Sequence, residues 1–185
     1  HHRISATERK AQLGTWMLRS TDGGVTWSTP YDSIVNSPHG PIQLADGRQL
    51  YAGKDLWKTG KWNGVCESKD DGKTWQKLAQ IPTRPGDDPA EYHELHAVEA
   101  ANGTIIAQIR NHNANHSRET LQSESTDGGK TWSEEFVIRQ DATLGTGDIG
   151  YQMGCQLEDG TIAITYYWRN LEGRRFICSS RFRLE

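Results

Sequence analysis

The same eight-residue phrase occurs three times in this chain. It reads Ser20-Thr21-Asp22-Gly23-Gly24-Val25-Thr26-Trp27, then Ser68-Lys69-Asp70-Asp71-Gly72-Lys73-Thr74-Trp75, then Ser125-Thr126-Asp127-Gly128-Gly129-Lys130-Thr131-Trp132. The shared frame is Ser-x-Asp-x-Gly-x-Thr-Trp, repeated at intervals of 48 and 57 residues. Repetition at such intervals marks an array in which each copy labels one supersecondary unit. Asp-Gly and Gly-Gly pairs are tight-turn chemistry: the carboxylate accepts backbone N–H groups and glycine takes the positive φ. Thr and Trp then favour a strand, and the indole is large enough to seal a join between sheets. Asp22, Asp70 and Asp127 therefore read as structural, as do Trp27, Trp75 and Trp132, which the frame predicts to be packed.

A second repeat runs in step with the first. Pro41 to Tyr51 is two short strands around Asp46-Gly47, Ala97 to Ile109 repeats this around Asn102-Gly103, and Met153 to Tyr166 around Asp159-Gly160. Such pairs between alternating apolar runs are strong hairpin signals. Each unit reads as four strands: an inner strand, the Asp-Gly turn, a second strand, a third ending in the repeated phrase, and a fourth beginning at its Trp. Counting offsets sets the register. Trp75 to Glu94 is 19 residues, as is Trp132 to Tyr151, so Glu94 and Tyr151 hold equivalent places at inner-strand entrances. Lys54, Arg110 and Tyr167 are likewise equivalent, at second-strand exits.

Composition removes several alternatives. The 185 residues suit one domain, at ~100–200 residues per domain. With 21 basic and 24 acidic residues, no nucleic-acid footprint appears. No apolar run approaches the ~20 residues of a membrane helix. Nineteen glycines and seven tryptophans suit an all-β protein of short strands. Cys66, Cys155 and Cys178 lack metal-type spacing and read as free thiols. Asn102-Gly103-Thr104 and Asn115-His116-Ser117 match the glycosylation sequon, a pattern too common to decide secretion. The opening His1-His2 reads as a tag remnant or a cut.

The repeated phrase resembles the Asp-box of sialidases and other BNR-repeat β-propellers. The resemblance implies an all-β, β-propeller fold of sialidase type, six-bladed in the family, without metal or cofactor. About three and a half blades fall in residues 1–185: outer strands at 11–30, then blades at 36–82, 90–140 and 147–185. The expectation is the C-terminal part of a longer protein, inactive alone, closed by N-terminal blades or by a second copy. An extracellular or periplasmic location follows from the family only.

Tyr92-His93-Glu94-Leu95-His96, followed by Arg110 sixteen residues after the glutamate, resembles a sialidase segment. That likeness implies that Glu94 activates the nucleophile and that Arg110 is one of three arginines holding the sugar's carboxylate. Guanidinium groups suit that task, being planar, bidentate and permanently charged. Sialidases use a tyrosine nucleophile rather than a second carboxylate; a neutral phenol is not repelled by the carboxylate on the anomeric carbon. Tyr151, with Gln152 beside it, is the candidate, although the family usually places a further blade between glutamate and tyrosine; a packing role is the alternative. Arg174 or Arg175 is the candidate for another arginine. His39 lines the pocket or caps a turn. His96 shares a strand face with Glu94 and orients it or packs below it. His93-Glu94-Leu95-His96 lacks the helical zinc spacing, and His112 and His116 read as a polar loop.

The function these residues suggest is an exo-sialidase-like glycoside hydrolase acting on a terminal sialic acid or related acidic sugar of a glycan. The rival is a non-catalytic BNR propeller that binds glycan or protein, because one fold hosts many functions.

Overall fold

The computed structural model describes residues 4–116, 119–141, 148–170 and 172–184. Among the described residues, thirteen strands form four antiparallel sheets. The first pairs β1 (Trp16–Met17) with β2 (Tyr31–Asp32). The second runs β3 (Ile42–Gln43), β4 (Gln49–Lys54), β5 (Asn63–Ser68) and β6 (Gln76–Gln80), and the third β7 (Tyr92–Glu99), β8 (Ile105–Asn111), β9 (Glu119–Ser125) and β10 (Phe136–Arg139). The fourth has β11 (Gly150–Gln156), β12 (Ile162–Arg169) and β13 (Arg175–Phe182). Order along each sheet follows order along the chain, the result of linking every neighbour by a hairpin.

Successive sheets pack face to face. Met17, Val35, Tyr51, Cys66 and Trp75 join the first two. Leu50, Val65, Ile81, Tyr92, Leu95, Ile105 and Leu121 join the second and third. Ile106, Ile149, Ile162, Ile164, Tyr166 and Trp168 join the third and fourth. Inner strand β7 touches both β4 and inner strand β11, so it stands between the second and fourth sheets. The far face of the last sheet stays open, with Ile177 77 % exposed.

Each residue of the repeated phrase has its own bond. The Ser125 hydroxyl donates to Asp127 Oδ1 at 2.9 Å and accepts the Gly129 N–H at 2.9 Å. Asp127 accepts the Thr131 N–H at 2.9 Å and the Thr131 hydroxyl at 2.7 Å, while Trp132 Nε1 donates to the Gly129 carbonyl at 3.0 Å. Asp22 and Asp70 repeat the pattern. Gly24, Gly72 and Gly129 have φ of 88°, 76° and 90°, the left-handed region that favours glycine. These turns also reach the preceding sheet: Arg48 donates to the Gly128 carbonyl at 3.3 Å, and the Tyr31 hydroxyl to the Gly72 carbonyl at 2.6 Å.

Two expectations are corrected. Trp27 is 60 % exposed, unlike the half-buried Trp75 and Trp132. Its indole closes over Gly24, but the two-stranded first sheet offers it little surface to pack against. In two of the repeats the fourth strand does not begin at the Trp: β2 and β10 start four residues later, after Ser28 and Ser133 donate backbone N–H groups to the Arg19 and Glu124 carbonyls, whereas β6 starts directly after Trp75. A short helix, α1 (Ala6–Ala11), precedes the sheets, nucleated by a capping box between Ser5 and Glu8.

Candidate active site

Glu94 stands where β7 breaks its pairing. The register of β7 with β8 shifts between His93 and His96, and Glu94 takes a left-handed φ of 49°. The same irregularity recurs in β11, whose register shifts between Gly150 and Met153, with Tyr151 at φ 54°. Non-glycine residues held there cost roughly 1–3 kcal/mol and cluster at functional sites. At both positions the bulge re-aims one residue at an inner-strand entrance.

The two bulges meet. Glu94 Oε2 accepts the Tyr151 backbone N–H at 3.0 Å, while Arg110 Nη1 pairs with Glu94 Oε1. Arg110 Nε donates to His112 Nε2, and Arg110 Nη2 lies 3.9 Å from Asp148 Oδ1. Asp148 accepts the Tyr167 hydroxyl at 2.6 Å and Arg175 Nε at 2.7 Å. The Tyr167 hydroxyl, with Arg175 and Arg110 beside it, holds the Asp148 carboxyl below the usual carboxylate range. Gly150 makes this approach possible: a Cβ there would lie 2.9 Å from Arg110 Cδ and nearer still to Glu94 Oε2.

Glu94, Arg110 and Tyr151 line one cleft of about 410 Å³ together with Asn36, Ser37, Pro38, Lys54, His93 and His112. The Tyr151 ring is on its surface, with the residue 52 % exposed. His39 packs edge-on against Tyr151 and against His96, at 6.1 and 5.1 Å between ring centroids. His96 Nδ1 accepts the Gly154 N–H at 3.3 Å, which places its ring against β11. Gln152 is fully buried and donates to the Thr120 hydroxyl at 3.2 Å. Arg175 reaches the site through Asp148, whereas Arg174 is highly exposed, with Glu172 as its ion-pair partner at 3.5 Å. Asp22, Asp70 and Asp127 lie with the strand ends remote from the cleft: Glu99 and Ser125 flank Ile105 there, as Tyr92 and Glu119 flank Asn111 at the cleft end.

A family model described as a BNR repeat-like domain matches residues 3–170. The chain belongs to that family. Among curated proteins, none matches this BNR chain. Solved structures give the fold. An α-L-arabinanase of Penicillium chrysogenum, complexed with arabinobiose, superposes with a TM-score of 0.63 at 21% identity, over 89% of this chain and 54% of its own. The α-L-arabinofuranosidase Arb93A of Fusarium graminearum, with an iminosugar inhibitor, gives 0.62 at 17%, covering 91% and 54%. The NanB sialidase of Streptococcus pneumoniae gives 0.57 at 24%, covering 84% and 24%. The chain thus spans about half the length of the two arabinan-related structures and a quarter of NanB. Its sheets are blades of a β-propeller.

Sequence reasoning on this BNR chain missed Asp148, whose only signal was its place three residues before Tyr151, and it left Lys54 without a role. It also separated His93 from His112. The β7–β8 hairpin puts their rings 5.5 Å apart, and with Glu91 they present ligand atoms within 4.8 Å of one another. Lys54 Nζ faces His93 at 3.4 Å and Arg110 donates to His112, so a metal cation there would meet two like charges. Ser117 of the second sequon lies outside the described residues. No described helix is long and apolar enough to cross a membrane.

Proposed function

We propose that this chain is part of one propeller domain of a glycoside hydrolase, and that its cleft holds a terminal acidic sugar of the sialic acid class. The observation that carries this reading is the Glu94 carboxylate fixed between Arg110 and the Tyr151 N–H where two inner strands meet. In this reading the Tyr151 phenol attacks the anomeric carbon and the bond to the leaving oxygen breaks, the departing oxygen taking up a proton from solvent, to give a glycosyl-tyrosine and a free alcohol. Glu94 takes the phenolic proton. Water then cleaves the tyrosyl bond and returns the sugar. Glu94 already holds the backbone of the residue it would deprotonate, and the reaction requires the exposed ring to turn its phenol to the carboxylate; catalytic hydrogen bonds often tighten only with substrate bound.

One observation favours a second reading. Arg110 is shared between Glu94 and Asp148, which leaves two carboxylates around a neutralised guanidinium. Paired carboxylates are the ordinary equipment of glycosidases acting on neutral sugars. The structural neighbours that act on arabinose polymers support this alternative.

The test is turnover of an aryl sialoside and an aryl arabinofuranoside by the full-length protein and by its Tyr151→Phe, Glu94→Gln and Asp148→Asn variants. The sialidase-type reading expects sialoside turnover reduced at least ~10³-fold by Tyr151→Phe. Arabinoside turnover abolished by Asp148→Asn but not by Tyr151→Phe selects the two-carboxylate reading. Sugar binding without turnover of either substrate makes the chain a glycan-binding propeller.

A further inference from the structure

Lys54 leaves the exit of β4, at the place equivalent to Arg110 in the next sheet, and lines the same cleft. The residue is 4 % exposed. Its ammonium donates to the Ala90 carbonyl at 2.5 Å and faces His93 Nδ1 at 3.4 Å. Among the described residues no carboxylate comes within ion-pair distance of it. The acids whose charges act on it are Glu91, Asp55 and Asp88. Asp55 is taken up by the Thr59 hydroxyl and the Trp62 N–H, and Asp88 caps the Ala90 N–H. Glu91 turns toward His93 and His112.

A buried cation without a paired anion is costly and rare. Burial pushes the Lys54 pKa down from its usual value, with those three distant acids working the other way. An ammonium has three donors. Two point at Ala90 and His93, and His93 is itself held neutral, its pKa lowered to about 4 by burial and by the Lys54 and Arg110 charges. Arg110 is in the opposite situation: Glu94, His112 and Asp148 surround it. The uncompensated positive charge of the cleft therefore resides on Lys54.

We infer that Lys54 is a specificity-determining residue of this cleft, receiving an anionic substituent, a carboxylate or a sulfate, of the sugar held beside Glu94. The assignment rests on the reading of the cleft as a sugar site. It differs from that reading in moving recognition of the anion from Arg110 to Lys54. A charge-assisted bond made in a buried place separates acidic from neutral ligands strongly, because a neutral sugar leaves the ammonium unpaired.

The test is calorimetric titration of the full chain with glucuronic acid, N-acetylneuraminic acid, glucose 6-sulfate and glucose, repeated on Lys54→Met. Binding of at least one acidic sugar ten-fold or more tighter than glucose, reduced to near parity in Lys54→Met, supports the inference. The carboxylated and sulfated sugars tell which anion is preferred. Equal binding of all four, or a preference that survives Lys54→Met, overturns the inference and leaves the sugar site standing. Binding of none overturns both. Should Lys54→Met fail to fold by circular dichroism, the side-chain Cε resonance of Lys54 in the unaltered protein decides. A shift with the acidic sugars and not with glucose supports the assignment, and no shift overturns it.

Discussion

The backbone N–H of Tyr151 donates to Glu94 Oε2 at 3.0 Å, and both residues carry left-handed φ, 54° and 49°. Two copies of one local irregularity, one blade apart, are thus joined by a carboxylate. The bond ties the entrance of one inner strand to the next through the Tyr151 backbone and the Glu94 carboxylate, so the Tyr151 phenol takes no part in it.

Gly150→Ala tests how tightly this join is built. The added methyl would press on Glu94 and on Arg110 Cδ, at a φ of 152° that already disfavours a side chain. Overpacking of this kind costs about 1–3 kcal/mol. Gly103→Ala meets nothing within 4 Å and carries only the left-handed strain of its φ of 85°, about 1 kcal/mol. Urea unfolding of both variants should rank Gly150→Ala as the more damaging, and equal losses would show that the join yields.

Trp132 and Trp27 occupy the same place in the repeat but not the same surroundings. Trp132 packs against the core between the second and third sheets, whereas Trp27 is mostly in solvent. Trp132→Ala should cost about 2 kcal/mol, and Trp27→Ala less than about 0.5 kcal/mol. Chemical denaturation of the two variants checks the contrast.

Acid should weaken the fold in two windows. Burial first, then the His39 charge, lower the His96 pKa to about 4. An unfolded histidine, near 6.5, binds the proton more readily than the folded one. The associated stability is therefore complete above pH ~6.5 and lost as pH falls toward 4, on the order of 3 kcal/mol for this 8 % exposed residue. Asp22 and Asp70, held down to about 2 chiefly by the Thr26 and Thr74 hydroxyls and N–H groups, contribute stability present above pH ~4 and lost toward pH 2. Urea midpoints measured from pH 7 to 2 should fall in both windows. His96→Gln should reduce the loss in the first window, to which the similarly depressed His93 also contributes, and Asp22→Asn with Asp70→Asn should reduce the loss in the second, which Glu67 shares.

The three cysteines should separate by reactivity. Cys66 is buried, and burial pushes its thiol up to about 12, while Cys155 is exposed on β11. An aromatic disulfide reagent should label Cys155 within minutes in native protein and Cys66 only after unfolding. Rapid native labelling of Cys66 would mean that the first two sheets open readily.

Much of the fold was legible because its signals are local. The Ser-x-Asp-x-Gly-x-Thr-Trp frame closes its own bonds within eight residues, so its geometry needs no tertiary help, and Asn102-Gly103 and Asp159-Gly160 announce their hairpins the same way. The equivalence of Glu94 with Tyr151 came from counting. What counting could not supply was the direction of each side chain. Arg174 and Arg175 are neighbours in sequence, but Arg175 opens β13 and reaches Asp148, whereas Arg174, in the turn before it, pairs with Glu172. The bulges at Glu94 and Tyr151 leave no mark in residue type. Lys54 looked like a strand-end lysine because an unpaired buried charge is visible only once its neighbours are in place.

Arg48 grips the Gly128 carbonyl and Glu67 at one end of the sheets, while the two left-handed residues are held at the other. The clasp between sheets and the candidate site thus lie on opposite rims of the same strands. The lower rim can be reinforced, by better turns or stronger clasps, without disturbing the upper one. The upper rim can be rewritten for a new ligand without dissolving the scaffold, provided the glycine that lets two blades touch is left in place.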